Sequence, residues 1–119
     1  MKFLRGFVFA YAGLRHAFLT QINFRVHCAA VIAVSILAIW LHASAAEIAV
    51  LALAAGSVIT TELINTAIEA IVDKTSPEHH ELARVAKDCA AGAVLAAALG
   101  AAVAGLFILG PKLVALLLQ

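Results

Sequence analysis

Charged residues are scarce in this sequence: 8 Lys and Arg and 7 Asp and Glu among 119 residues, 13% in all. Soluble domains carry about 25%. Hydrophobic residues make up 65%, and a domain this small buries too little of its surface to hide them from water. The shortage of charge therefore argues against a soluble globule and for a membrane protein. A net charge of +1 leaves no basic footprint for a nucleic-acid partner. There are only two cysteines, Cys28 and Cys89, expected as small buried hydrophobes rather than as a disulfide or a metal clip. Several chemical motifs are missing as well. There is no G-x-x-x-x-G-K-[ST] and no G-x-G-x-x-G, so neither phosphate-cradling glycine loop is present. His79-His80-Glu81 is not H-E-x-x-H, and His16, His27, His42, His79 and His80 have no pairing that argues for zinc. His27 stands apart, because it lies near the polar end of an apolar run. No cleavable signal peptide is expected, since Arg5 and Arg15 interrupt the apolar start.

What remains is a chain of mean hydropathy +1.07 that divides into helices. Residues 2 to about 20 read as an amphipathic surface helix. Phe3, Phe7, Leu14 and Phe18 recur at helical spacing, with Lys2, Arg5, Arg15 and His16 on other faces. A first span is expected over about 24–41, with Arg25 snorkelling at one end and Trp40 in the interfacial belt at the other. Residues 42–47 form a tight turn with Ser44 as N-cap. A second span follows over about 47–73. Ser76-Pro77 provides an N-cap and first-turn pair for a third, running over about 77–109 until Gly110-Pro111 breaks it. Gly92, Ala96, Gly100 and Ala104 recur every four residues on that helix, a spacing that lets membrane helices pack closely. The reading is one all-α membrane domain over 1–119, with no repeat or linker. Lys2, Arg5, Arg15, Arg25, Lys74, Arg84 and Lys87 fall on one side of the three spans and only Lys112 on the other. By the positive-inside rule, the side with seven is cytoplasmic.

The second span holds the chain's chemistry. Glu62, Asn65, Glu69 and Asp73 step by three, four and four, so they form one narrow stripe of one helix. Intramembrane carboxylates are costly and are functional candidates by default. Three in a line repel one another unless a cation sits among them. Carboxylate and amide oxygens suit Mg²⁺, a hard cation that also takes phosphate oxygens. Lys87, at the start of the third helix, is a phosphate-binding point charge, with Asp88 placed to orient it. Two other classes stay open on these residues alone: a small ion- or proton-translocating subunit using Glu62 and Glu69 as a relay, and a structural membrane protein pinned by a polar network.

The sequence resembles the small prokaryotic membrane lipid kinases, the diacylglycerol kinase/undecaprenol kinase family. The resemblance centres on Glu62-Leu-Ile-Asn65-Thr66-Ala67-Ile68-Glu69-Ala-Ile-Val-Asp73. It continues through Ser76-Pro77-Glu78-His79-His80-Glu81-Leu82-Ala83 and Ala86-Lys87-Asp88, with Gly13-Leu14-Arg15 and Asn23-Phe24-Arg25-Val26-His27 upstream. It implies a homotrimeric helical bundle with composite active sites, transferring the γ-phosphate of ATP to a lipid alcohol with Mg²⁺ as cofactor. It implies Glu62 as general base, Glu69 as metal ligand, Asn65 near metal and phosphates, Lys87 on the phosphates held by Asp88, and Asp73 toward the nucleoside. Gln21 stands where the family usually has a metal-holding glutamate, which keeps an oxygen ligand and loses its charge. The runs Asn23-Phe24-Arg25-x-His27, Ser76-Pro77 and Gly110-Pro111-Lys112 resemble the undecaprenol branch more than the diacylglycerol branch. The implied location is a bacterial plasma membrane, with the N-terminus and active site cytoplasmic.

Overall fold

In the computed structural model, which describes all 119 residues, the chain is four helices and no strand: α1 (Lys2–Thr20), α2 (Ile22–Trp40), α3 (Ala45–Thr75) and α4 (Glu81–Leu117). The last three are long and apolar enough to cross a membrane. α3 and α4 form the main antiparallel pair, α2 packs on α3, and α1 touches both α2 and α3. Only 11 of the 119 residues are buried. A water-soluble chain could not leave so many Phe, Leu and Ile side chains exposed, whereas a bilayer or further copies can cover them.

Local sequence explains most boundaries. Gln21 is extended (φ −110°, ψ 111°) and is the only residue between α1 and α2. α1 buries Ala17 alone and exposes Phe3, Phe7, Phe9 and Tyr11, with Phe3 and Phe7 edge-to-face at 5.2 Å. At the next turn, Ser44 caps α3 in a full capping box. Glu47 N donates to Ser44 Oγ (3.2 Å), and Ser44 N donates to Glu47 Oε2 (2.7 Å). His42 precedes it at φ 53°, a left-handed value that closes the turn. A small apolar cluster of Ala38, Leu41, Leu51 and Leu109 holds this end together. α3 is 31 residues long, on the order of 46 Å. That exceeds the ~30 Å hydrocarbon core of a bilayer, so one end of it emerges.

Three expectations are corrected here. α4 does not start at Ser76-Pro77. Ser76 is already used as the C-cap of α3, its N–H donating to Val72 O (2.8 Å), and residues 76–80 reverse the chain. His80 caps α4 instead, its Nδ1 accepting from Leu82 N at 3.1 Å. Gly110-Pro111 does not end α4, which runs to Leu117 with Pro111 inside it. Leu109 lies in the apolar cluster and Leu113 packs on it, so packing on both sides offsets the one backbone hydrogen bond that proline forgoes. Gly92 and Gly100 of the small-residue stripe meet no helix of this chain, nothing lying within 4 Å of where a Cβ would stand on either, so close packing at those glycines is left to helices outside the chain. Finally, the cysteines are free but not buried. Cys28 is half-buried and Cys89 is exposed on α4.

Candidate active site

The stripe on α3 forms as its spacing requires, and it grades from buried to exposed. Glu62 is 2% exposed and heads the largest fully buried side chains in the protein. Asn65 and Thr66 are buried beside it, Glu69 is half-buried, and Asp73 is exposed. Glu62 and Asp73 are separated by roughly 16 Å along the axis. Thr66 Oγ1 donates to Glu62 O (2.9 Å), which satisfies that hydroxyl on its own helix. The carboxylate of Glu62 has no such partner. The one group of opposite potential charge near it is His27 Nε2 of α2, at 3.9 Å from Oε2. The sequence had singled out His27 by position only; its pairing with Glu62 depends on how α2 packs on α3.

One turn farther, Asn65 Nδ2 donates a long hydrogen bond (3.4 Å) to Glu69 Oε1. Asn65 Oδ1 is buried and accepts nothing. A buried acceptor without a donor costs on the order of 1–3 kcal/mol. Such an oxygen beside a carboxylate matches the donor set of a hard divalent cation. No three His, Cys, Asp or Glu side chains converge to hold a metal by themselves. A metal held by Asn65 and Glu69 would therefore need further oxygens, of the kind phosphates and water supply. Gln21 is half-buried at the α1–α2 break, and its Nε2 donates to Thr20 Oγ1 (3.3 Å). No hydrogen bond joins it to Asn65 or Glu69.

At the exposed end, Lys87 Nζ donates to Asp73 Oδ1 at 2.9 Å, linking α4 to α3. This corrects the expected Lys87–Asp88 pairing. Adjacent helical residues point about 100° apart and do not face each other. Asp88 instead accepts from Arg84 Nη1 (2.7 Å), four residues back, and Arg84 also holds Glu81. The Arg84-x-x-x-Asp88 spacing carried that signal in the sequence.

Between α1 and α2 lies an apolar groove of about 550 Å³ that reaches α3 at Ile59. Tyr11, Leu14, Arg15 and Phe18 of α1, Phe24 and Cys28 of α2, and Ile59 of α3 are among its walls. Ile59, its one wall residue on α3, lies three residues before Glu62, about one helical turn away. The arrangement offers an apolar slot, a buried carboxylate one turn from it, an oxygen pair of the kind a hard cation takes, and an exposed lysine.

Comparison with known proteins agrees with this chemistry. The profile of the family described as prokaryotic diacylglycerol kinase matches residues 8–109. A diacylglycerol kinase of Synechocystis sp. is 49% identical over 115 residues, covering 96% of this chain and 66% of that protein, just under two thirds of its length. An undecaprenol kinase of Bacillus subtilis is 41% identical over 112 residues, covering 94% of this chain and 91% of that one. A diacylglycerol kinase of Escherichia coli is 34% identical over 96 residues, 81% of this chain and 79% of its own. The four-helix fold with three apolar spans fits a multi-pass membrane protein, and the chain belongs to the prokaryotic diacylglycerol kinase family of membrane lipid kinases.

Proposed function

We propose that this chain transfers the γ-phosphate of ATP to the hydroxyl of a membrane lipid alcohol, with undecaprenol the favoured acceptor and undecaprenyl phosphate the product. The observation that carries the reading is Glu62, a carboxylate buried to 2% exposure at the head of a polar stripe, one helical turn from the apolar groove that Ile59 lines. In this reading the lipid chain lies in the groove and its hydroxyl reaches Glu62. Glu62 takes the hydroxyl proton as the oxygen attacks the γ-phosphorus. Lys87 exchanges Asp73 for the phosphates, and Asp73 turns to the nucleoside side. Asp88, tied to Arg84, fixes that turn of α4 rather than the ammonium itself. Asn65 and Glu69 are the residues that would hold Mg²⁺, with Gln21 as a further oxygen; when bound, the ion neutralises phosphate charge. Phosphoryl transfer needs mainly such positioning and charge neutralisation.

The seven basic residues on the polar side of the spans support a cytoplasmic N-terminus and active site in a bacterial plasma membrane. That side is where ATP is available. The small-residue stripe of α4, uncovered within the chain, supports a homotrimer with sites shared between subunits.

For the acceptor, the Asn23–His27 run and the near-full coverage of the B. subtilis undecaprenol kinase support undecaprenol. A second reading, diacylglycerol giving phosphatidic acid, is supported by the 49%-identical Synechocystis diacylglycerol kinase. The test is radiolabelled ATP with purified protein and a panel of lipid alcohols, wild type beside Glu62→Gln. Label in undecaprenol that disappears in the variant is the expected result. Faster labelling of diacylglycerol selects the second reading. No labelled lipid, with Glu62→Gln altering ion flux in vesicles, replaces the kinase by the ion-translocating class.

A further inference from the structure

Each turnover of such a site leaves a proton on Glu62. At 2% exposure its carboxylate has very little contact with the surface, so a neighbour that can take the proton speeds its return to the charged form. His27 Nε2, 3.9 Å away on α2, is the one ionisable group within reach, and its side chain is 22% exposed. It therefore touches the buried carboxylate on one side and an accessible surface on the other. An imidazole is suited to this, since it takes up and releases a proton near neutral pH. The remaining ionisable groups around it are otherwise engaged or turned aside. Arg25 of α2 donates to Phe18 O at 3.4 Å. Arg15 of α1 lines the groove with Cys28 of α2. On α3, Glu69 pairs with Asn65 and Asp73 with Lys87 of α4.

We propose that His27 is the proton outlet of Glu62. The lipid hydroxyl proton passes to the Glu62 carboxylate as the new O–P bond forms and the bond from the γ-phosphorus to the bridging oxygen breaks, with ADP leaving. The carboxylic acid then gives it to neutral His27 Nε2. The resulting imidazolium holds the regenerated carboxylate in place and releases the proton from its exposed side. His27 touches no substrate and acts only through Glu62, so it is a positioning residue for this base. The inference rests on the kinase reading above.

The test uses full-length protein in detergent or vesicles, with His27→Gln and His27→Ala compared with wild type. The expected result is kcat lower by on the order of tenfold or more in both variants, with KM for ATP and lipid within about twofold. Added imidazole restores part of kcat in His27→Ala and leaves wild type unchanged. A folded His27→Gln with wild-type kcat overturns the proposal. So does a slow His27→Ala that imidazole does not rescue, because that pattern belongs to packing alone. Wild type that phosphorylates no lipid alcohol overturns the kinase reading instead, and is distinguished by the untouched control.

Discussion

At both ends of the α3–α4 pair, a carboxylate on α3 meets a lysine on α4. Glu47 Oε2 lies 3.1 Å from Lys112 Nζ at one end, and Asp73 Oδ1 lies 2.9 Å from Lys87 Nζ at the other. The two contacts are chemically alike, and their surroundings are not. The Glu47–Lys112 pair is about one-third exposed on each side. Glu47 Oε2 also accepts from Ser44 N in the capping box, and the apolar cluster of Leu41, Leu51 and Leu109 lies alongside. Its hydrogen-bonding capacity is committed to holding the turn. The Asp73–Lys87 pair is open, with Asp73 67% exposed, and no apolar cluster supports it. An exposed pair of this kind contributes little to stability, so a phosphate can displace Asp73 from Lys87 at small cost. The unsatisfied Asn65 Oδ1 and the buried Glu62 lie below it on the same helix. One end is satisfied by its own neighbours; the other keeps an exposed ion pair and an unpartnered amide oxygen.

The comparison breaks most visibly at Glu62. Glu62→Gln keeps shape and burial but removes the proton acceptor. We expect kcat to fall by roughly 10²–10⁴, with the melting temperature held and ATP binding retained. Glu47→Gln, at the other end, is expected to leave kcat unchanged. If Glu62→Gln lowered the melting temperature and spared kcat, the two ends would be structural alike. The lysines come next. Lys87→Met removes a charge-assisted contact to phosphate and should raise KM for ATP by about 10–100-fold; Lys112→Met should not move it. Equal effects of the two on KM, measured by initial rates against ATP, would remove Lys87 from the nucleotide site. Smaller again is Ser44→Ala. Loss of the N-cap costs about 1 kcal/mol, read as a lower thermal midpoint in detergent with wild-type kinetics. A kinetic change there would mean that the structural end reports to the site.

The polar stripe was legible because helical spacing is fixed and each member stood out in an apolar segment. The same holds for the Ser44 cap and the three spans. What escaped the sequence depended on competition for one residue or on a third dimension. Ser76 looked like an N-cap, but it was already the C-cap of α3. Pro111 looked like a break, but Leu109 and Leu113 are anchored on either side of it. Asp88 adjoins Lys87 in sequence and points elsewhere on the helix. The His27–Glu62 and Glu47–Lys112 contacts join different helices, and no spacing along one helix reports them.

Gln21 gives the smallest expected effect and the sharpest question about how far the unsatisfied end extends. It is the single residue between α1 and α2, capping the first and opening the second. Its side chain donates only to Thr20 Oγ1, at 3.3 Å. A carboxylate here suits an N-cap and the positive end of α2, so Gln21→Glu should fold as well as wild type. It would also add a charged oxygen of the kind Mg²⁺ prefers. If Gln21 borders the same cation site as Asn65 and Glu69, the Mg²⁺ concentration for half-maximal rate should fall a few-fold in the variant, at fixed ATP. Glu69→Gln should shift it the opposite way and further, because that change removes the carboxylate charge that Asn65 Nδ2 holds beside the orphaned amide oxygen. An identical Mg²⁺ dependence in wild type and Gln21→Glu, with Glu69→Gln still shifted, would confine the metal to α3 and leave Gln21 as a helix joint.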